Sequence, residues 1–303
     1  MNILTFDIEE WFHILDHSST KTEKEWLNFE YRLESNMDRI LKLLDNKNQK
    51  ATFFVLGWVA RKFPNVLKKI DEMGYEIASH SDMHQLAYEQ NRDEFRNDLR
   101  KSIHSIEDTI GKKVRIYRAP GFSIKADNQW VFDVLVENGI EIDCSIFPTK
   151  RAHGGFEDYG YAKPSLVILP NGKKIKEFPI NLMNFGITRF IFSGGGYFRI
   201  LPYFVIKQMF KNSDYVMSYF HPRDFDKGQP VIEDLSYLRR FKAYCGINGA
   251  FKKLEALIDD FDFIDIAQAD KSIDWNLAKK IRLKNENTIF NGQFSSRSEC
   301  TSH

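Results

Sequence analysis

The sequence predicts a parallel α/β fold, and three observations carry that expectation. Short apolar runs alternate with segments of helical periodicity, the pattern of a parallel sheet with crossover helices. Several of these runs end directly in charged or polar residues, which is how a buried strand delivers chemistry to the rim of such a sheet. The chain has 303 residues, enough for one large α/β barrel or two modest domains, either able to bury a full core. No internal repeat or linker splits it. Residues 1–283 are therefore expected to form one domain, with a loop-rich insertion at about 150–200 and a loose tail from 284 to 303.

Taken in order, Ile3 to Phe6 is an apolar run that ends in the acidic DIEE segment, a strand meeting the rim. From Leu33 to Leu44 the residues Leu33, Met37, Ile40, Leu41 and Leu44 form one helical face. ATFFVLGWVA, residues 51–60, reads as a second buried strand passing through a turn into a helix. Val66, Leu67 and Ile70 mark a helix over Phe63 to Met73, stopped by Gly74 as a C-cap. YEIAS is the third strand and runs straight into His80. A helix from Asp93 to Ile110 ends at Gly111, VRIYRAP is a strand broken at Pro120 and Gly121, and Gln129 to Asn138 is helical. Gly139 leads into the strand IEIDCS. Between Lys150 and about Phe198 the pattern loosens. Alternation resumes with a helix at Pro202 to Phe210, the strand VMSYF, a helix at Phe251 to Ile258 and FDFIDI as the last strand.

Composition narrows the function classes. The hydrophobic and charged fractions, 43% and 28%, are those of an ordinary globular protein. A formal net charge of +1 gives no field that would draw the whole chain to nucleic acid or an anionic membrane. Cys144, Cys245 and Cys300 are too few and too irregularly spaced for a disulfide framework or a zinc–thiolate site, and read as buried thiols in a reducing compartment. The start MNILTFDIEEWF lacks the basic and long apolar segments of a signal peptide, and no run reaches the roughly 20 apolar residues of a membrane span. Cytoplasm is the expected location. Nothing in the sequence signals an oligomeric state. The aromatic share, 14%, favours core packing over a sugar-stacking surface.

Every reactive cluster falls at the end of an expected strand: Asp7, Glu9 and Glu10 after the first, His80 and His84 after the third, Arg118 after the fourth, Asp143 at the end of the fifth, and His221 after VMSYF. HSDMH places two imidazoles four apart, on one face if the segment turns helically. Two neutral histidines and a carboxylate are a common set for a catalytic divalent ion. Asp7 and Glu9, two apart, share a face if the strand continues, so one can bind metal and the other act as a base. Each has a plainer reading too: DIEE as a solvated helix start, His221 as a core histidine. No phosphate-cradling glycine loop is present.

The segments TFDIEEW, EIASHSDMH, YRAPGFS, IDCSIFP and SYFHPRDFD resemble, in order and character, the motifs of the polysaccharide deacetylase (NodB-homology) family, over about residues 3–266. HGGFEDYG, EFPI, SGGGYFR and QPVIEDLSYLRRFKAYCG are similar to the branch associated with bacterial exopolysaccharide and O-antigen gene clusters. The resemblance implies a distorted (β/α) barrel of seven or eight parallel strands. It implies Asp7 as the base, Arg118 as its orienting partner, His80 and His84 as metal ligands, and His221 as the acid. Many members carry two adjacent aspartates in the first motif, the second being the metal ligand, whereas Ile8 follows Asp7 here. Glu9 is the expected ligand in its place, with Glu10 the alternative; if neither serves, the chain is a non-catalytic member.

The implied reaction is removal of N-acetyl groups from amino sugars of a bacterial polysaccharide or its precursor, with zinc expected and cobalt, nickel or iron admitted by the same ligands. A backbone N–H near Gly121 is expected to help hold the oxyanion. Asp143 is expected beside His221, with Gly194 to Gly196 as a tight loop near the site. Trp11, Tyr159, Tyr197 and Phe198 are candidate sugar contacts. A hydrolase acting on a small cyclic amide, and a carbohydrate-binding member without turnover, are the competing readings.

Overall fold

The computed structural model describes residues 1–283, apart from 16, 18, 19, 21, 152, 186, 187, 233 and 234; the expected tail, with Cys300, lies outside the described residues. Eleven strands are described: β1 (Asn2–Ile8), β2 (Thr52–Val55), β3 (Glu76–Ser79), β4 (Ile116–Tyr117), β5 (Ile142–Asp143), β6 (Ser165–Ile168), β7 (Lys174–Glu177), β8 (Met183–Phe185), β9 (Thr188–Phe190), β10 (Val216–Phe220) and β11 (Lys279–Arg282). Nine form one sheet in the order β10-β1-β2-β3-β4-β5-β7-β6-β11, and β8 with β9 makes a separate hairpin.

Seven of the nine, from β10 to β7, run parallel. β6 is antiparallel to β7 and β11 parallel to β6, so this last pair runs the other way. This is the α/β, distorted-barrel class that the sequence predicts, with two corrections. The stretch around 150–200 is more than loops, because β6 and β7 extend the main sheet. FDFIDI is not a strand; Ile264 makes one bridge to Ile3 and the chain turns into the helix Ile266–Ser272, while the edge strand is Lys279–Arg282.

β1 is buried from Ile3 onward, because β2 and β10 cover its edges, Leu4, Phe6 and Ile8 pack with the helices, and Ile3 packs with residues of the other strands. The helix Leu33–Asn46 turns Leu33, Met37, Ile40, Leu41 and Leu44 inward, the face its spacing predicts. The helix Arg92–Ile110 starts in a capping box, in which Asn91 Oδ1 accepts from the Glu94 N–H while the Glu94 carboxylate accepts from the Asn91 N–H. It stops at Gly111 in the left-handed region.

Most of the aromatic residues pack inside. Phe6 stacks on Phe53, and Phe12, Trp26, Phe29 and Trp58 interlock beneath the first site loop. Cys144 is buried, and Cys245, contrary to expectation, is only half-buried. No helix among the described residues is long and apolar enough to cross a membrane.

Candidate active site

Strand register does most of the assembly. Ile8, Val55, Ser79, Tyr117, Asp143 and Glu177 are successive partners across the sheet, so the residues that follow them emerge on one rim. Asp7 and Glu9 flank the end of β1, His80 follows β3, Arg118 follows β4 and His221 follows β10. β1 and β10 pair as Phe6 with Phe220, which sets Asp7 beside His221.

Arg118 is fully buried, its Nη1 donating to Asp7 Oδ1 at 2.7 Å and to Thr5 Oγ1 at 2.8 Å. Its guanidinium lies 3.9 Å from the centre of the Phe54 ring. Burial alone would raise the Asp7 pKa, but Arg118, with His80 and His221, outweighs it and holds the carboxyl below the usual range. Asp7 is thus ionised, with Oδ1 tied to arginine. Its Oδ2 lies 3.8 Å from His221 Nε2 and 4.0 Å from His80 Nε2.

Glu9, His80 and His84 each bring one donor atom into a cluster no more than 4.8 Å across. His84 Nε2 is 2.6 Å from Glu9 Oε2, yet that oxygen is buried with no hydrogen-bond partner of proper direction. Atoms that converge without bonding to one another fit a cation better than an ion pair. One carboxylate with two imidazoles also suits a zinc-like divalent ion with positions left open. Burial pushes the His80 pKa down to about 4, despite the pull of Asp7, so its imidazole is neutral as a ligand must be. His80 Nδ1 faces the Arg118 carbonyl at 2.8 Å, which places the proton there and leaves Nε2 to face the cluster.

The loop bearing both histidines is not helical, which corrects the expectation for HSDMH. Ser81 and His84 take positive φ, 69° and 57°, at a cost of roughly 1 kcal/mol each for residues with a Cβ. Asp82 holds the loop down, its carboxylate bound by Arg61 at 2.5 and 3.1 Å and by Lys101 at 2.9 Å. The N–H groups of Gly57 and Trp58, at the start of the helix Gly57–Lys62, donate to the Ser81 and Asp82 carbonyls. A Cβ on Gly57 would stand 2.2 Å from Asp82 Oδ1, so glycine is what lets helix and loop meet.

His221 is half-buried and its Nδ1 contacts Asp224 Oδ2 at 3.0 Å. Burial lowers its pKa, but Glu9, Asp224 and Asp7 more than offset this and lift it to about 9. Asp224 is held in turn by Arg199 at 3.1 Å. A Cβ on Gly195 would come within 2.3 Å of the Asp224 carboxylate, so the glycine run supports the site by letting Asp224 in.

Other expectations change. Asp143 does not reach His221: its carboxylate binds the Ser145 N–H and Oγ, and Ser145 Oγ accepts from the Ala119 N–H, so Asp143 steadies the chain beside Arg118. Asp224 is the partner assigned to Asp143, and it stands in plain view three residues after His221. Glu10 is turned away from the histidines; its carboxylate accepts from the Arg32, Leu33 and Trp11 N–H groups and caps the helix Leu33–Asn46. Trp11, Tyr159 and Phe198 are core: Trp11 Nε1 donates to the Glu30 carbonyl, Tyr159 pairs with Ser165, and Phe198 packs on Phe220. Tyr197 is 48% exposed but does not line the site cavity. Gly121 does line it, at φ 61°.

One neighbour went unforeseen. His13 is buried against His84, accepts the Glu10 N–H at Nδ1 and leaves Nε2 on the cavity side without a partner. Its only sequence signal is its position six residues after Asp7, inside a run that otherwise reads as core.

The site therefore combines a dry Asp–Arg pair, a half-buried His–Asp pair and a Glu–His–His cluster around a cavity of about 270 Å³. That arrangement is an acid–base site on the rim of a parallel barrel, with a Glu–His–His cluster that could hold a divalent ion. Comparison with known proteins specifies it. Residues 17–140 match the family described as polysaccharide deacetylase, and residues 144–271 match a domain of unknown function (DUF3473). A Bacillus cereus peptidoglycan-N-acetylglucosamine deacetylase is 32% identical over 117 residues, 35% of this chain and 42% of that protein. A Helicobacter pylori peptidoglycan deacetylase is 26% identical over 126 residues, 42% of this chain and 40% of that protein. The chain thus spans about two fifths of the length of these curated relatives. A crystal structure from Mycobacterium smegmatis, of a protein assigned to the polysaccharide deacetylases, superposes with a TM-score of 0.61 at 18% identity over 93% of each chain, a likeness of fold. Residues 17–140 are thus similar to the polysaccharide deacetylase family. His80, His84 and Arg118 fall in the first matched region and His221 in the second, while Asp7 and Glu9 precede both.

Proposed function

We propose that the protein is a metal-dependent hydrolase that removes N-acetyl groups from amino sugars of a bacterial polysaccharide or its precursor. The observation that carries this reading is the geometry around one cavity: Arg118 holds Asp7 Oδ1 at 2.7 Å and Asp224 holds His221 Nδ1 at 3.0 Å, leaving Asp7 Oδ2 and His221 Nε2 3.8 Å apart beside the Glu–His–His cluster. A candidate base and a candidate acid are thus held side by side, as amide hydrolysis requires. The two matched regions act as one folding unit in this account, because β7 and β10 complete the sheet that β1 to β5 begin.

Glu9, His80 and His84 would hold a divalent ion, which supplies Lewis acidity toward the acetyl carbonyl and the attacking water. Asp7 takes the water proton at Oδ2, since Arg118 occupies Oδ1 and fixes the carboxylate plane. His221 delivers a proton from Nε2 to the departing nitrogen, because an amide anion is too basic to leave. Asp224 holds Nδ1 and keeps the ring aimed while its charge changes. Gly121 lines the same cavity, and its backbone N–H is the candidate partner for the oxyanion.

The place of Glu9 beside His80 and His84 supports this reading over the non-catalytic one. The test is acetate release by zinc-loaded protein from N-acetylglucosamine oligomers. Asp7→Asn should keep stoichiometric metal and lose roughly 10²–10⁴-fold in kcat. Substantial residual turnover in that variant removes Asp7 as base. Hydrolysis of a cyclic amide, with no acetate released from any sugar, moves the assignment to the competing hydrolase.

A further inference from the structure

The cavity above Asp7 and Glu9 carries more positive charge than hydrolysis of a neutral amide needs. Arg223, Arg239 and Lys242 line it from the chain after β10, and Arg151 from the segment after β5. Against these four cations the described lining residues set two carboxylates, Asp7 and Glu9. Asp7 is already bound by Arg118, and Glu9 belongs to the Glu–His–His cluster. An adjoining cavity, which shares His13 and His84, is lined by Glu89 and Glu94 and by no described lysine or arginine. The cations therefore gather at one part of the site rather than surrounding it.

Arg223 is the informative member. Its Nη2 is buried and has no hydrogen-bond partner, a state that is costly unless a ligand completes it. The acid next to it, Asp224, is taken by His221 at 3.0 Å and Arg199 at 3.1 Å. Arg151 is held over the rings of Phe122 and Phe147, at 4.9 and 4.8 Å, which keeps its charge at the cavity without a carboxylate partner in those contacts. Arg239 donates to the Leu15 carbonyl, and Lys242 is exposed at the rim. A planar guanidinium with a spare donor, backed by further cations, suits the paired oxygens of a phosphate or carboxylate.

We propose that the saccharide bound here carries an anionic oxygen group, phosphate or uronate carboxylate, adjacent to its N-acetylated sugar, and that Arg223 receives that group. The inference rests on the deacetylase reading and narrows its substrate. Zinc-loaded protein would be assayed for acetate release from three probes: an N-acetylglucosamine disaccharide, its 1-phosphate, and a disaccharide of N-acetylglucosamine with glucuronate. The expected kcat/KM is about tenfold or more higher for a charged probe, expressed in KM and shrinking as salt rises. Which charged probe is preferred separates phosphate from carboxylate. Arg223→Gln should abolish the preference, and Lys242→Gln, at an exposed position less able to disturb folding, should reduce it about threefold. Equal kcat/KM on all three probes, or a preference that survives Arg223→Gln, overturns the proposal. Should no probe be hydrolysed, the deacetylase reading fails, and calorimetric binding decides this one: tighter binding of a charged probe sustains it, and equal or absent binding of all three overturns it.

Discussion

Glu9 and Glu10 are adjacent, chemically identical and put to different uses. Glu9 meets His84 and His221, which outweigh burial and lower its pKa. Glu10 is bound by backbone N–H groups, and burial, outweighing these and the Arg32 charge, raises it to about 7. Glu9→Ala should therefore fold and lose metal, whereas Glu10→Ala should keep stoichiometric metal and lose about 1–2 kcal/mol of stability, the order of a lost helix cap. Metal analysis beside urea denaturation checks both, and the opposite pattern would exchange their roles. The sequence made Asp7, His80, Arg118 and His221 visible because each ends an apolar run, and His84 through its spacing from His80; strand ends are where a parallel sheet exposes chemistry. It could not choose between Glu9 and Glu10, since that choice depends on Arg32 and Leu33 arriving from 22 and 23 residues away. Asp143 was misplaced for the same reason. Its neighbours are set by the pairing of β5 with β7, which loose patterning around 150–200 concealed.

At the scale of elements, the histidine loop is strained and must be held. Two positive-φ residues sit within four positions, and the loop keeps that shape through Asp82 and the start of the helix Gly57–Lys62. Gly57→Ala forces Asp82 to move, so zinc affinity should fall about 10–100-fold, the usual effect of disturbing the support of a metal ligand. Competition against a chelator measures this, and unchanged affinity would show that the loop does not position the ligands. Helices with clean periodicity and caps were legible: Leu33–Asn46 and Arg92–Ile110 fall within two residues of their expected bounds. The four-residue strands near 165 and 174 were not, because their partners, not their own pattern, make them strands.

For the molecule as a whole, pH acts through a buried pair away from the histidines. Asp143 and Glu177 face one another across β5 and β7, and burial raises both, Glu177 well above its ordinary 4.5. An acid with a raised folded pKa binds more protons folded than unfolded, so the contribution of this pair to stability should fall as pH rises above about 4.5, by up to ~1.4 kcal/mol per unit for one proton. Glu177→Gln, which supplies its own donor, should flatten that slope in metal-free protein between pH 5 and 8; an unaltered slope would mean the pair holds no extra proton. The molecule's central feature remains the convergence of β1, β3 and β10 on one cavity, where Glu9, His80 and His84 would hold an ion beside Asp7 and His221. Anomalous diffraction at the zinc edge from zinc-soaked crystals tests this most directly. The account predicts one strong peak within roughly 2.0–2.2 Å of donor atoms of Glu9, His80 and His84. No peak there, or a peak bound through Glu10, would contradict it.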